Sequence, residues 1–144
     1  MAAEVVAAGT VLVWLTLLSG YDIRQRRLPN WLTLPAAVLV PAVAAAVGRG
    51  PAALGGAAAL TGVYLVVHLI APAGLGAGDV KLAVALGALT GSFGAGVWLL
   101  AALTAPLLTG LCGLFVATAG RGRTVPHGPS MCLASALAAG LGLG

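Results

Sequence analysis

Long apolar runs separated by short polar stretches make up most of the chain, and they predict its helices. A helix needs about 20 mostly apolar residues to cross the roughly 30 Å hydrocarbon core of a bilayer. Prolines and glycines mark the ends of the runs, and a turn-like segment at residues 90–94 divides the longest charge-free stretch. We therefore predict six membrane-spanning helices, of which the fourth and sixth are short. They cover residues 5–21, 31–47, 52–71, 82–89, 95–118 and 130–143.

The composition places these helices in a bilayer. Of the 144 residues, 60% are hydrophobic and only 7% are charged, whereas a soluble domain carries about 25% charged residues. Because so few polar side chains cannot cover a water-facing surface, we expect an all-α polytopic membrane protein, with residues 1–144 forming one transmembrane domain. No basic residue precedes the first apolar run, so we expect a retained span there and not a cleaved signal peptide.

The basic residues predict the orientation of the helices. All but one of the seven Lys and Arg residues lie in the connections at 22–30, 72–81 and 119–129, which six spans place on one side of the membrane. The exception is Arg49. Since connections rich in Lys and Arg stay in the cytoplasm, we expect these three to be cytoplasmic and both termini to be external. This topology accounts for the net charge of +4, so we expect no nucleic-acid partner.

Two of the three acidic residues, Asp22 and Asp79, fall on the predicted cytoplasmic side. Each has a structural explanation: Asp22 could form an ion pair with Arg26 four residues later, and Asp79 could cap the N-terminus of the fourth helix. However, an ionisable group at membrane depth is costly and by default marks a functional site. With no other carboxyl available on that side, we expect the two aspartates to meet.

A pair of neighbouring carboxyls has a specific chemistry. Both cannot ionise cheaply, so one keeps a proton while the other is charged, and aspartic proteases use such a pair to activate water and polarise a carbonyl. The glycines at 74, 76 and 78 would permit unusual φ angles and a close approach of a substrate backbone. The residues alone leave open a membrane hydrolase or a small proton-coupled carrier, although a carrier is expected to place its acids near the membrane midplane.

Three short motifs of the chain stand out: "GAGDVKL" at residues 76–82, "DIRQRRLPNWLT" at residues 22–33 and "PHGP" at residues 126–129. The first resembles the GxGD motif of polytopic membrane aspartyl proteases. The second resembles the first-aspartate motif of the type IV prepilin peptidases, and the third resembles the C-terminal motif of that family. The motifs occur in the family's order, and the resemblance covers the whole chain.

The resemblance implies a peptidase domain that cleaves the leader of pilin-like precursors, which have a basic leader followed by an apolar helix. Cleavage would follow a glycine at the cytoplasmic face of a prokaryotic plasma membrane, without a metal or cofactor and with lipid as the surrounding partner. The oligomeric state stays open. Asp22 and Asp79 would be the catalytic pair, and the matching motif residues would support them: Pro29, Asn30, Gly76, Gly78, Lys81, Gly128 and Pro129.

The chain departs from the family pattern at two points. His127 stands where an aromatic residue such as Phe is expected, and only residues 22–30 connect the first two spans, without the cysteine-rich insertion of the larger members. The chain therefore resembles the short form, for which we expect peptidase activity without N-methylation of the product. A catalytically inactive assembly partner of a pilus system is a third alternative.

Several polar residues have more than one interpretation. For His68, four residues after Tyr64, we favour an interhelical hydrogen bond over a role near the acids. For His127 we favour a solvated position in its loop over an approach to the acid pair. Lys81 could tune Asp79 electrostatically or anchor the chain at the membrane surface, and these two roles have equal support.

Small residues and cysteines suggest packing and not chemistry. Glycines four apart, such as Gly87 and Gly91, predict close contact between helices in a membrane. Cys112 and Cys132 both lie in apolar runs, so we expect two buried thiols that form neither a disulfide framework nor a zinc site.

Overall fold

The computed structural model describes residues 2–25, 28–72, 76–120 and 126–143, and within these ranges the chain forms six α-helices and no strand. This confirms the predicted all-α fold. Every predicted apolar run corresponds to one helix, but two helices are longer than predicted at the ends that hold the aspartates. The helices are α1 (Ala2–Gln25), α2 (Asn30–Ala46), α3 (Gly50–Ile70), α4 (Ala77–Ser92), α5 (Ala95–Thr118) and α6 (Gly128–Leu143).

The outer surface of the bundle is suited to lipid. Within the described residues, α1, α3 and α5 are long and apolar enough to cross a membrane, whereas α2 and α6 are shorter apolar helices. Large apolar side chains point away from the bundle, for example Val13 on α1 and Leu103 on α5, which are 62% and 57% exposed. Because a soluble protein rarely leaves such wide apolar surfaces uncovered, they indicate contact with a membrane.

Helix α4 lies at the centre of the bundle. It packs against α2, α3, α5 and α6, while α1 packs against α6. Its side chains are buried along most of its length, including Leu82 and Leu86, which are fully buried. This position carries the start of α4, with Asp79, into the interior of the bundle.

Glycines allow α3 and α4 to pack closely. A Cβ atom on Gly87 would lie 2.6 Å from the carbonyl oxygen of Gly56, and one on Gly91 would lie 2.8 Å from that of Ala52. Both distances are shorter than real Cβ contacts allow, so the two backbones can approach only without side chains at these positions. The indole Nε1 of Trp98 on α5 donates to the Gly56 carbonyl at 3.0 Å. The predicted contact between helices through small residues is confirmed.

The connection between α4 and α5 is shorter than predicted. Helix α4 continues through Ser92, so the turn consists of Phe93 and Gly94 alone. Gly94 has φ of +114°, a conformation that residues with a side chain rarely adopt. The glycine therefore allows the chain to reverse within two residues.

Several hydroxyl groups on the helices bond within their own helix. Thr10 donates to the Val6 carbonyl at 2.8 Å, and Thr104 donates to the Leu100 carbonyl at 2.5 Å, each four residues back. A hydroxyl bonded in this way does not need a partner on another helix or in lipid.

The α3–α4 contact predicts opposite effects for two neighbouring glycines. Gly56→Ala should destabilise the protein by about 1–3 kcal/mol, because the new methyl group overlaps the α4 backbone. Gly55→Ala is the matched control, since nothing lies within 4 Å of its added Cβ, and it should stabilise the helix by up to about 1 kcal/mol. Unfolding in detergent micelles measures both changes. Equal effects of the two substitutions would contradict the close packing.

Candidate active site

Asp22 and Asp79 line the same cleft at one end of the bundle. Asp22 lies in the last turn of α1 and Asp79 in the first turn of α4, and they are only 7% and 9% exposed. Their carboxyl groups are close enough for their charges to interact. The predicted meeting of the two acids is therefore seen in the structure. The open cleft has a volume of about 270 Å³ and is also lined by Leu28, Asn30, Gly76, Ala77, Gly78 and Lys81.

Asp79 does not cap α4, so the structural explanation considered for it is wrong. The N-cap is Gly76, which has an extended backbone and whose carbonyl accepts the Asp79 amide at 3.1 Å. The helix thus begins earlier than predicted, and Asp79 occupies its third position, with its side chain in the cleft. For Asp22, the proposed partner Arg26 lies outside the described residues.

The start of α6 contacts Asp22 directly. The backbone N–H of Gly128 donates to Oδ2 of Asp22 at 2.9 Å, within a buried region. A Cβ atom at position 128 would overlap the same carboxyl group. Position 128 therefore has room only for glycine, which has no side chain. Pro129 follows in the first turn of α6, where proline is well tolerated.

A second polar contact joins the starts of α2 and α4. The Lys81 ammonium donates to the side-chain oxygen of Asn30 at 2.9 Å, and both residues line the cleft. Pro29 precedes Asn30 as the N-cap of α2, and its carbonyl accepts the Leu32 and Thr33 amides at 3.1 and 3.2 Å. These contacts hold the two helix starts together beside the acid pair. Pro29, Gly128 and Pro129 do not line the cleft themselves.

The glycines of the "GAGD" segment act differently from the prediction. Gly76 has φ of −73° and Gly78 lies within α4, so neither uses a conformation reserved for glycine. A Cβ atom on Gly78 would lie 3.3 Å from Cβ of Leu28, which is a tight fit, whereas one on Gly76 would make only ordinary contact with Asp79. Gly78 thus packs closely against Leu28, and the expected unusual φ is wrong for both glycines. The close approach of a substrate backbone stays a prediction. Gly74 lies outside the described residues.

His127 is bonded on both ring nitrogens, so the interpretation as a solvated loop residue is wrong. Its Nε2 lies 2.8 Å from the Tyr64 hydroxyl and its Nδ1 lies 2.7 Å from the Thr109 hydroxyl. Burial lowers the pKa of His127 to about 4, so the ring is neutral near pH 7. His68 is half-buried on α3, and its role stays a prediction.

The two cysteines differ in their surroundings. Cys132 is buried, as expected, but Cys112 is exposed on the outer surface of α5, which corrects that prediction. Apolar runs show which segments enter the membrane and not which side of a helix meets its neighbours, and this explains the error. No group of three or more His, Cys, Asp or Glu side chains comes together as a metal site within the part of the chain that the structure describes.

Sequence reasoning missed several residues at the site. Leu28 and Ala77 line the cleft, and Thr109 bonds to His127. Leu28 and Ala77 are direct neighbours of predicted motif residues, so their position in the motifs could have indicated that they belong to the site. Thr109, in the middle of an apolar helix, has no such signal because its contact depends on how α5 and α6 pack.

The contact between Gly128 and Asp22 predicts a coupling between two substitutions. Gly128→Ala should destabilise the protein by about 1–3 kcal/mol, since the methyl group overlaps the carboxyl. In an Asp22→Ala background the overlap disappears, so the same substitution should cost less, with a coupling of about 0.5–3 kcal/mol. Gly140→Ala on the same helix, where an added Cβ meets nothing within 4 Å, is the control. Additive unfolding energies for Gly128→Ala and Asp22→Ala in detergent would disprove the contact.

Comparison with known proteins identifies a matching family. The model of the type IV leader peptidase family matches residues 10–118, which include Asp22, Asp79 and the segments around them. Searches of curated proteins and of solved structures gave no match. The match covers most of the chain and agrees with the motifs that carry the paired aspartates. On this evidence, the chain belongs to the type IV leader peptidase family.

Proposed function

We propose that the protein is a membrane aspartyl endopeptidase that removes the leader of pilin-like precursors with a water molecule held between Asp22 and Asp79. The observation that carries this proposal is the meeting of two buried carboxyls in one open cleft. The family match supports a peptidase whose substrates are such precursors. It favours hydrolysis over the proton-coupled carrier that the residues alone left open.

The surroundings of the pair support different roles for its two members. An N–H donor favours the ionised form of a carboxyl, and the Gly128 amide supplies one to Asp22. The start of α4 also favours negative charge near Asp79, but two neighbouring carboxylates repel each other. Asp79 also receives a backbone hydrogen bond, from Gly76 at the start of its own helix. We assign the charge to Asp22, whose donor comes from a separate helix in a buried region, and the shared proton to Asp79.

Hydrolysis then follows with balanced proton transfers. The Asp22 carboxylate takes a proton from the water, and the water oxygen attacks the scissile carbonyl carbon. At the same time Asp79 gives its proton to the carbonyl oxygen. The resulting gem-diol collapses as the C–N bond breaks. Asp22 passes its proton to the leaving amine, and Asp79 recovers a proton from the diol. The pair returns to its starting state with one proton between the carboxyls.

The position of the cleft suits a substrate with an apolar segment. The cleft opens where α1 ends and α2 and α4 begin, so it lies at the end of the bundle and not near its middle. A precursor held in the bilayer by its apolar helix would present the junction with its leader at this level. A basic leader would remain in the cytoplasm, in agreement with the orientation proposed from the Lys and Arg residues.

Substitution of either aspartate tests the mechanism. Asp22→Asn and Asp79→Asn keep the side-chain size and a hydrogen-bond acceptor but cannot hold or release the shared proton. Each should reduce precursor cleavage by about 1,000-fold or more, and the double variant should be no worse, because the pair acts as a unit. Glu4→Gln should leave cleavage intact, since Glu4 lies about 27 Å along α1 from Asp22.

Mass spectrometry of the product completes this assay. We expect one cut after a glycine and an unmodified new N-terminus, since the insertion associated with methylation is missing. Cleavage by either single Asn variant at more than a few per cent of the normal rate would contradict the mechanism. An inactive wild-type chain would favour the assembly-partner alternative.

Reporter fusions test the proposed orientation. Fusions after Arg27, Ala77 and Arg123 should report the cytoplasm, and one after Arg49 should report the outside, because positively charged connections are retained on the cytoplasmic side. A reporter that works only in the cytoplasm and one that works only outside should give complementary signals at each position. Outside signals at Arg27 and Ala77 would overturn the orientation while leaving the acid pair itself intact.

A further inference from the structure

His127 joins two helices that contribute nothing to the lining of the cleft. Tyr64 on α3 and Thr109 on α5 hold its two ring nitrogens, at 2.8 and 2.7 Å. Residues from α1, α2, α4 and the segments leading into α2 and α4 line the cleft. The imidazole therefore links the helices on one side of the bundle to the start of α6, which contacts Asp22.

The hydrogen bonds define the tautomer of this ring. The Thr109 hydroxyl also lies 3.2 Å from the Ala105 carbonyl, to which it can only donate. Since a hydroxyl has a single proton, Thr109 must accept from Nδ1–H of His127. Nε2 is then an acceptor, and the Tyr64 hydroxyl donates to it. The result is a continuous network of hydrogen bonds from the Tyr64 hydroxyl, through the neutral imidazole and the Thr109 hydroxyl, to the Ala105 carbonyl.

This network of hydrogen bonds holds the peptide group that contacts Asp22. The carbonyl of His127 and the N–H of Gly128 belong to one planar peptide unit. The Met131 amide donates to that carbonyl at 3.0 Å, and the N–H at the other end donates to Asp22 at 2.9 Å. With the side chain of His127 also fixed, the peptide plane has little freedom to rotate away from the carboxyl.

We infer that His127 is a positioning residue which, with Tyr64 and Thr109, keeps the Gly128 N–H directed at Asp22 and so favours the ionised member of the acid pair. The inference rests on the proposed function, because it assigns the network a role in that reaction. Tyr64 also interacts electrostatically with Asp79, the other member of the pair.

The pH profile of cleavage distinguishes this role from simple structural support. A pair that shares one proton gives a bell-shaped profile, whose acid limb reports formation of the single-charged state. The titratable groups facing Asp22 in the described residues are Asp79 and Lys81 on α4 and Cys132 on α6. The variants below leave all three in place. Because Tyr64 itself interacts with Asp79, it is the Thr109→Val variant, which keeps Tyr64, whose acid-limb shift would report the Gly128 donor.

Thr109→Val and Tyr64→Phe each remove one hydroxyl and keep the shape of the side chain. Each should lower kcat about 10-fold with little change in KM, since a buried ring nitrogen of His127 loses its partner. Each should also move the acid limb to higher pH, because the ionised form of Asp22 loses the Gly128 N–H donor. Together they should cost less than the product of the two single effects. The control is Thr104→Val, another α5 threonine bonded to the carbonyl four residues back, which should change neither kcat nor the limbs.

An NMR measurement tests the inference without activity. The Gly128 amide proton of the full chain in detergent micelles should shift upfield in Thr109→Val and Tyr64→Phe and stay in place in Thr104→Val. The inference would be overturned if the variants lowered cleavage equally at every pH and left both limbs of the profile in place. It would also be overturned if the Gly128 resonance did not move in either network variant. If the wild-type chain cleaves no pilin-like precursor, the proposed function fails, and the amide resonance still decides whether the network positions Gly128.

Discussion

The hydrogen bond from the Gly128 amide to Asp22 is the contact on which the arrangement of the site depends. It brings the start of α6 to the end of α1 and gives a buried carboxyl a donor of its own. Leaving a buried carboxylate without a partner would be costly. The contact demands a residue without a side chain at position 128 and a helix that begins there, and the sequence "PHGP" meets both requirements.

The rest of the bundle brings the second carboxyl to the same place. Helix α4 can occupy the centre because glycines on α3 and α4 permit backbone contact, and because its positions after Lys81 hold only small or aliphatic residues. Lys81 and Asn30 then fasten the starts of α4 and α2 beside the cleft. In a membrane, where apolar surface gives little drive for helix association, close packing and a few hydrogen bonds supply this organisation.

The sequence predicted the helices and the meeting of the two aspartates better than the details around them. Apolar length and flanking Pro and Gly locate a membrane helix, which is why six helices were expected and found in the described residues. Whether Asp79 caps α4 depends on where the first turn closes, and Gly76 closes it earlier than the sequence suggested. The hydrogen bonds of His127 depend on Tyr64 and Thr109, which are 63 and 18 residues away, and no local pattern indicates such partners. The orientation in the membrane and the catalytic roles remain predictions.

The distance along the chain between Asp22 and its donor has a consequence for biogenesis. The two residues are 106 positions apart, so the ribosome makes α1 long before α6. The hydroxyls of the α1 threonines are hydrogen-bonded within their own helix, so these residues can enter lipid at once. The Asp22 carboxyl, in contrast, has to stay hydrated until α6 packs against α1. Its place in the last turn of α1, at the end of the bundle, leaves it near that water in the meantime. Translation therefore completes the acid pair's surroundings at a late step, and a chain stopped before α6 would lack the donor.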